Sequence, residues 1–261
     1  MVSPPTPFER MLITGARLLP DGAVAFVGFH WPMLIARIAR RLAAPSLIVV
    51  YEDGIVEDRL TPLLPTSPSD LAAAVGSPCC AGSLESLFMW LAGGRVEWTL
   101  LEAPIVDRRG NVNTTAIGDY QRPTVRLPGS GGGAELASFG RGLVLISAST
   151  APRSYPEQVD YVTSPGYLAG TGDRERLGYA PGRGPQLLVN PLGLFEFADE
   201  EIRPRALHPG VTTEDVRTTF AWPIRVDDIV PRLSEPSDEE LAVARAELSH
   251  ARDRFYRVPS A

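Results

Sequence analysis

The stretch Leu47-Ile48-Val49-Val50-Tyr51-Glu52-Asp53-Gly54 constrains the fold more than any other part of this chain. Its apolar, mostly β-branched run lies between Pro45-Ser46 and Gly54. It reads as a buried strand of a parallel sheet, since a strand covered on both faces has no polar side to alternate with. Ala23 to Val27 is a second such run, ended by Gly28. Pro32 then opens a helix through Leu42 with an apolar stripe of Met33, Leu34, Ile38 and Leu42. Strand, helix and strand in so short a span make a βαβ unit with a right-handed crossover. Glu52 therefore stands at the carboxyl end of a strand, where open α/β sheets bind ligands. From the strand pattern alone the simpler reading is that Glu52 and Asp53 solvate a turn; the other is a reactive carboxylate.

Composition narrows the function classes. Of 261 residues, 44% are hydrophobic and 21% charged, which describes an ordinary globular protein long enough to bury a core. A net charge of -6 argues against nucleic acid or an anionic membrane as the principal partner. No apolar run reaches the ~20 residues that span a bilayer. Met1 to Arg10 lacks the apolar core of a signal peptide, so the cytoplasm is the expected compartment. The adjacent Cys79 and Cys80 cannot easily meet disulfide geometry and are expected reduced and partly buried. Three histidines, His30, His208 and His250, show no metal-ligand spacing, which leaves carboxylates, backbone amides and a bound organic group to carry any chemistry.

The remaining pattern predicts helices over 7–19, 70–75 and 83–92, and strands over 96–101 and 143–148. A hairpin is expected from Gln186–Val189 and Leu194–Phe197, and mostly loop from Asp107 to Gly133. Ser237 and Glu240 form a capping box for a last helix of about 237–256, striped by Leu241, Ala244, Leu248, Ala251 and Phe255. No repeat or linker divides the chain. The expected fold is α/β, a single open α/β domain over 1–261 with a mostly parallel sheet.

Gly129-Ser130-Gly131-Gly132-Gly133-Ala134 formally fits a dinucleotide fingerprint, but Pro128 spoils the preceding strand and no acidic strand end follows at the right distance. Two readings remain: a flexible loop, or a set of amides that approach a carbonyl or anion closely. Two further loops are unusually specific, Gly110-Asn111-Val112-Asn113-Thr114-Thr115-Ala116-Ile117-Gly118-Asp119-Tyr120 and Asp160-Tyr161-Val162-Thr163-Ser164-Pro165-Gly166. Together with the Glu52 strand and Gly172-Asp173-Arg174-Glu175-Arg176-Leu177-Gly178, they resemble the β-subunit of class I CoA-transferases, most closely the glutaconate CoA-transferase branch. The resemblance spans about 22–216, with several separated motifs in the right order.

The resemblance implies that Glu52 is the nucleophile of a CoA transfer between an acyl-CoA thioester and a carboxylic acid, through a glutamyl-CoA intermediate. It implies amides of Gly131 and Gly132, with Gly133, near the reacting carbonyl, and Asn111 and Asn113 as pocket formers. It further implies coenzyme A as substrate with no permanently bound cofactor, and an α-subunit partner in a hetero-oligomer that brings the CoA-binding motif. Two departures stand out. His30 and Trp31 follow Gly28 where the family has an open G-x-G-x-P turn, and Ile105 stands where it has glutamine; both point to an altered, more apolar acyl site. The other readings are a CoA-thioester or carbon–carbon bond hydrolase of the steroid ring-cleavage type on the same scaffold, which the retained Glu52 disfavours, and a non-catalytic partner subunit.

Overall fold

The computed structural model describes residues 3–62, 64–67 and 70–253. Its elements are α1 (Pro7–Arg17), β1 (Val24–Val27), α2 (Trp31–Leu42), β2 (Ile48–Val50), β3 (Ile55–Glu57), α3 (Leu71–Ala74) and β4 (Cys79–Cys80). A π-helix (Glu85–Leu91) precedes β5 (Trp98–Glu102), β6 (Ala116–Ile117), β7 (Val125–Arg126), α4 (Gly133–Phe139) and β8 (Leu143–Ile146). After these come α5 (Asp173–Arg176), β9 (Pro185–Asn190), β10 (Gly193–Ala198), β11 (Glu201–Leu207), α6 (Thr213–Thr219) and α7 (Asp238–Asp253).

Nine strands form one sheet in the order β11-β10-β9-β8-β5-β1-β2-β3-β4. The middle of the sheet is parallel, β9-β8-β5-β1-β2, and the expected hairpin extends it antiparallel through β10 and β11. At the other edge β3 and β4 are antiparallel as well. From β1 the chain steps to β2 on one side and later returns to β5 on the other. The carboxyl ends of β1 and β5 thus flank a topological switch point, where a crevice opens beyond the strands.

Alternation along the central strands explains why both faces are covered. Ala25, Val27 and Val49 face one way, into a core with Met11, Leu12, Leu34, Ile35 and Ile38 of α1 and α2 and with Leu241, Ala244 and Leu248 of α7. Phe26 and Val50 face the other way, against Leu91 and Leu136. A further cluster on Phe195, Tyr155, Phe220 and Trp222 fills the space under the β8 to β11 half.

Several expectations change in the structure. The segment expected as an α-helix over 83–92 is the π-helix, a form that recurs at functional sites. Cys79 and Cys80 are free, as expected, but exposed rather than partly buried, because they form the last strand at an open edge of the sheet. Trp31 is buried edge-on against Phe8, with ring centroids 4.8 Å apart, and so does not crowd any turn. Phe255 lies outside the described residues. No helix among the described residues is long and apolar enough to cross a membrane.

The stripe of α7 contains a charge that the pattern hides. Glu247 is fully buried and accepts a hydrogen bond from Arg37 Nε at 2.7 Å, with Arg41 paired to its other oxygen. Arg37 also donates to the carbonyl of Thr61 at 3.0 Å, so one ion pair ties α7 to α2 and to the segment after β3. Removing one member of such a pair leaves an uncompensated buried charge. Glu247→Ala should therefore lower unfolding free energy by about 3–5 kcal/mol in denaturant titration; a loss within ordinary surface-mutation scatter would contradict the arrangement.

His208 supplies a pH dependence. Its ring is buried, and burial pushes its pKa down to about 4 from an ordinary 6.5. The folded state thus disfavours the proton that the unfolded chain accepts, and stability should fall as pH drops from 6.5 towards 4. Unfolding curves of the wild type and His208→Gln across that window should diverge as pH falls, and parallel curves would rule out His208 as the cause.

Candidate active site

The site is built on a tight turn. After β2, Gly54 N–H donates to the Tyr51 carbonyl at 3.0 Å and Tyr51 N–H to the Ile55 carbonyl at 3.0 Å, so Glu52 and Asp53 occupy the bend into β3. Gly54 has φ +89, and a Cβ there would stand 2.1 Å from the Ala81 carbonyl oxygen, so the turn needs glycine on both counts. The strand pattern placed Glu52 at a strand end. It could not show that the chain reverses there, because β3 is only 3 residues long.

Polar anchors hold this turn from both sides of the sheet. Tyr51 points into the α1/α2 core, where its hydroxyl donates to Glu57 Oε2 at 2.8 Å. Burial, first, and then the adjacent Glu57 carboxylate push the phenol well above its usual range, so it remains a donor. Glu57 in turn accepts from Thr61 N–H at 3.0 Å and lies 3.3 Å from Arg40 Nη1, whose Nε donates to the Leu47 carbonyl at 2.7 Å. From the opposite side Ser86, buried in the π-helix, donates its hydroxyl to the Glu52 carbonyl at 3.0 Å. Both ends of β2 are thereby tied to buried side chains.

The carboxylate itself meets the glycine run. Gly132 N–H donates to Glu52 Oε2 at 2.8 Å. A Cβ at Gly132 would lie 2.6 Å from that same oxygen, while one at Gly131 would lie 3.5 Å from both oxygens. The run is therefore an ordered approach to a carboxylate, and it leads directly into α4. Arg174, nearly inaccessible to solvent, fixes the far end of that helix. It donates to the carbonyls of Pro165, Gly166 and Ala137 at 2.9, 2.7 and 3.1 Å, and its guanidinium lies 4.5 Å from the centre of the Tyr179 ring.

The motif loops converge on the same place. Val112 N–H donates to the Ser164 carbonyl at 3.0 Å, Thr114 N–H to Thr163 Oγ1 at 2.9 Å, and Gly129 N–H to the Thr114 carbonyl at 2.7 Å. Three segments far apart in sequence thus form one surface. It faces a cleft of about 460 Å³ at the switch point, between the ends of β1 and β5.

Of the residues expected at the site, Glu52, Gly28, Gly131 and Gly133 line this cleft, and Gly132 reaches Glu52 through its amide. His30 is not among the lining residues but contacts one of them, Glu102. Its Nδ1 lies 3.0 and 3.1 Å from the two carboxylate oxygens of Glu102, and its backbone has φ +72. Asn111 and Asn113 are not among the residues that line this cleft. Asn111 bonds Asp107, the Leu168 carbonyl and the amides of Gly166 and Leu168; Asn113 bonds the Ala116 carbonyl and the amides of Thr115 and Ala116. Both side-chain amides are thus spent on holding loop backbone. Asn113 and Ile105 instead line a second cavity of about 360 Å³, which meets the first at Pro104.

Sequence reasoning missed Glu102, Ser86 and the cleft hydroxyls of Thr114, Ser130 and Ser164. Glu102 had a readable signal, since it ends β5 as Glu52 follows β2. Ser86 had none, because its role depends on the π-helical turn.

An amide-anchored carboxylate in a largely apolar crevice at the switch point of an α/β sheet defines a ligand-binding site of the kind open α/β proteins build. Residues 8–218 match the coenzyme A transferase family. The chain belongs to that family. It is 38% identical to a subunit of the 3-oxoadipate CoA-transferase of Pseudomonas knackmussii, with 91% of both chains covered. It is 29% identical to a subunit of the glutaconate CoA-transferase of Acidaminococcus fermentans, over 97% of this chain and 95% of that one. The crystal structure of the enzyme from that organism matches with a TM-score of 0.87 over 98% of each chain, at 28% identity. The cholesterol ring-cleaving hydrolase IpdB subunit of Mycobacterium tuberculosis is 30% identical over 85% of this chain and 86% of that one.

Gly132→Ala tests the amide contact. Its Cβ would displace the Glu52 carboxylate, and misplacement by about 1 Å should lower kcat by about 100-fold. The melting temperature should change little, because the added methyl meets a side chain rather than backbone. Unaltered kcat would show that the amide has no part in turnover.

Proposed function

We propose that this chain is the β-subunit of a CoA-transferase in which Glu52 is the covalent nucleophile. The observation that carries the reading is the Gly132 N–H bond to Glu52 Oε2 at 2.8 Å, beside a cleft at the switch point. The Glu52 carboxylate attacks the thioester carbonyl of the donor, and the tetrahedral adduct expels CoA thiolate to leave an acyl-glutamyl anhydride. The thiolate then attacks the glutamyl carbonyl, releasing the donor acid and leaving a glutamyl-CoA thioester. The acceptor carboxylate attacks that thioester, expelling CoA thiolate and forming a new anhydride. Thiolate attack on its acyl carbonyl gives the product acyl-CoA and restores Glu52.

In this reading the amide serves one half of the cycle. Because Gly132 N–H already bonds an oxygen of Glu52, it follows that oxygen when the residue becomes acylated. It then stabilises the oxyanion formed on Glu52 itself as glutamyl-CoA is made and consumed. A preorganised donor of this kind is worth about 2.7–4 kcal/mol in acyl-transfer enzymes.

In this reading coenzyme A is a substrate, and no group need remain bound between turnovers. An α-subunit in a hetero-oligomer completes the site; the 3-oxoadipate and glutaconate relatives are each named as one subunit of their enzyme. We place the enzyme in the cytoplasm, where CoA thioesters are held. The relative named as a ring-cleaving hydrolase frames the competing outcome, in which water rather than a carboxylate is the acceptor.

Incubating the complex with donor acyl-CoA and no acceptor should accumulate glutamyl-CoA, which borohydride reduces to an alcohol at Glu52 alone. Glu52→Gln should abolish the adduct. Mass spectrometry of the peptide containing Tyr51 to Gly54 reads the outcome: an unmodified peptide during steady release of free CoA would replace transfer by hydrolysis.

A further inference from the structure

The wall of the Glu52 cleft carries charge of one sign. Glu52 and Glu102 both line it, and no Lys or Arg stands among its described lining residues. Phe29, Leu101, Leu127 and Leu136 make much of the remaining wall. The nearest imidazole is paired with Glu102 itself. His30 meets both oxygens of Glu102, its ring lies 3.5 Å from that of Trp31 and 5.8 Å from that of Phe29 (centroid to centroid), and it does not itself line the cleft.

The backbone of His30 makes this pair unlike an incidental surface contact. A residue with a Cβ held at φ +72 and ψ −116 is strained, and such strain persists where surrounding structure overrides it, most often at functional sites. Here the strained conformation seats the ring between Phe29 and Trp31 and turns Nδ1 towards the carboxylate at the end of β5. Glu102 is thereby held in the crevice, with its side chain 30% exposed.

We propose that Glu102, positioned by His30, is a specificity-determining residue that selects an uncharged, largely apolar acyl group and rejects acyl groups bearing a second carboxylate. This rests on Glu52 being the acylated residue. An acyl chain attached there extends into a crevice whose other acidic side chain is Glu102, so a distal carboxylate faces a second carboxyl group within a mostly apolar wall. A methyl terminus meets Phe29, Leu101 and Leu136 instead. Selection works by the repulsive element, with the apolar wall supplying the attraction.

The test compares hexanoyl-CoA with adipoyl-CoA, which share a six-carbon acyl chain and differ in the terminal carboxylate, on the complex with its α-subunit. The wild type should favour hexanoyl-CoA by about 100-fold in kcat/KM, the scale of a like-charge contact. Glu102→Gln should reduce that ratio to about tenfold or less, because the amide keeps the shape and removes the charge. His30→Gly, which relieves the strained backbone and frees Glu102, should shift the KM ratio of the two donors in the same direction. A wild type that prefers adipoyl-CoA, or an unchanged ratio in Glu102→Gln, would overturn the proposal. The borohydride adduct separates the two levels. An adduct at Glu52 formed preferentially from adipoyl-CoA overturns this inference and leaves the nucleophile standing, whereas no adduct from either donor removes both.

Discussion

A single hydrogen bond, from the Gly132 amide to Glu52 Oε2, is the contact on which the rest of the site depends. It joins two segments 80 residues apart, so close that a Cβ at position 132 would stand 2.6 Å from the carboxylate oxygen. Because the donor is backbone, its direction is set by the whole glycine turn and by α4. In the proposed cycle the acceptor is the reacting group, so the same bond would orient the nucleophile at rest and stabilise charge on it later. Electrostatic catalysis of this kind works when the donor is fixed before the charge appears.

Fixing both partners takes more polar burial than the fold alone would need. Glu52 rides on a turn whose neighbours reach Tyr51, Glu57 and Arg40 on one face and Ser86 on the other. Arg174 holds α4 through carbonyls on two segments. Each buried group is costly if left unpaired, so the networks make small displacements of the turn or of the helix unfavourable. The sheet places the two partners at one crevice, and these side chains set their separation.

Much of this was legible in the chain, for identifiable reasons. Long apolar runs such as Leu47 to Val50 and Leu143 to Ile146 report buried parallel strands, and the structure has them at the centre of the sheet. The motif loops around Asn111 and Ser164 signalled function by being too specific for ordinary loops, yet their asparagines turn out to hold backbone rather than to face the cleft. Short elements were illegible: β3 and β4 have 3 and 2 residues, fewer than a period-two pattern needs to declare itself. The burial of Trp31 and the pairing of His30 with Glu102 were hidden as well, since both depend on which side of a strained turn each ring takes.

Oxygen tracing tests the central claim most directly. With both oxygens of the acceptor carboxylate labelled with 18O, each cycle should leave one labelled oxygen on Glu52, and later donor acids should carry it away. Mass spectrometry during steady turnover should then find one acceptor-derived oxygen in each released donor acid, and none from labelled water. A donor acid that takes its new oxygen from water, with Glu52 unlabelled, would contradict a covalent role for that carboxylate.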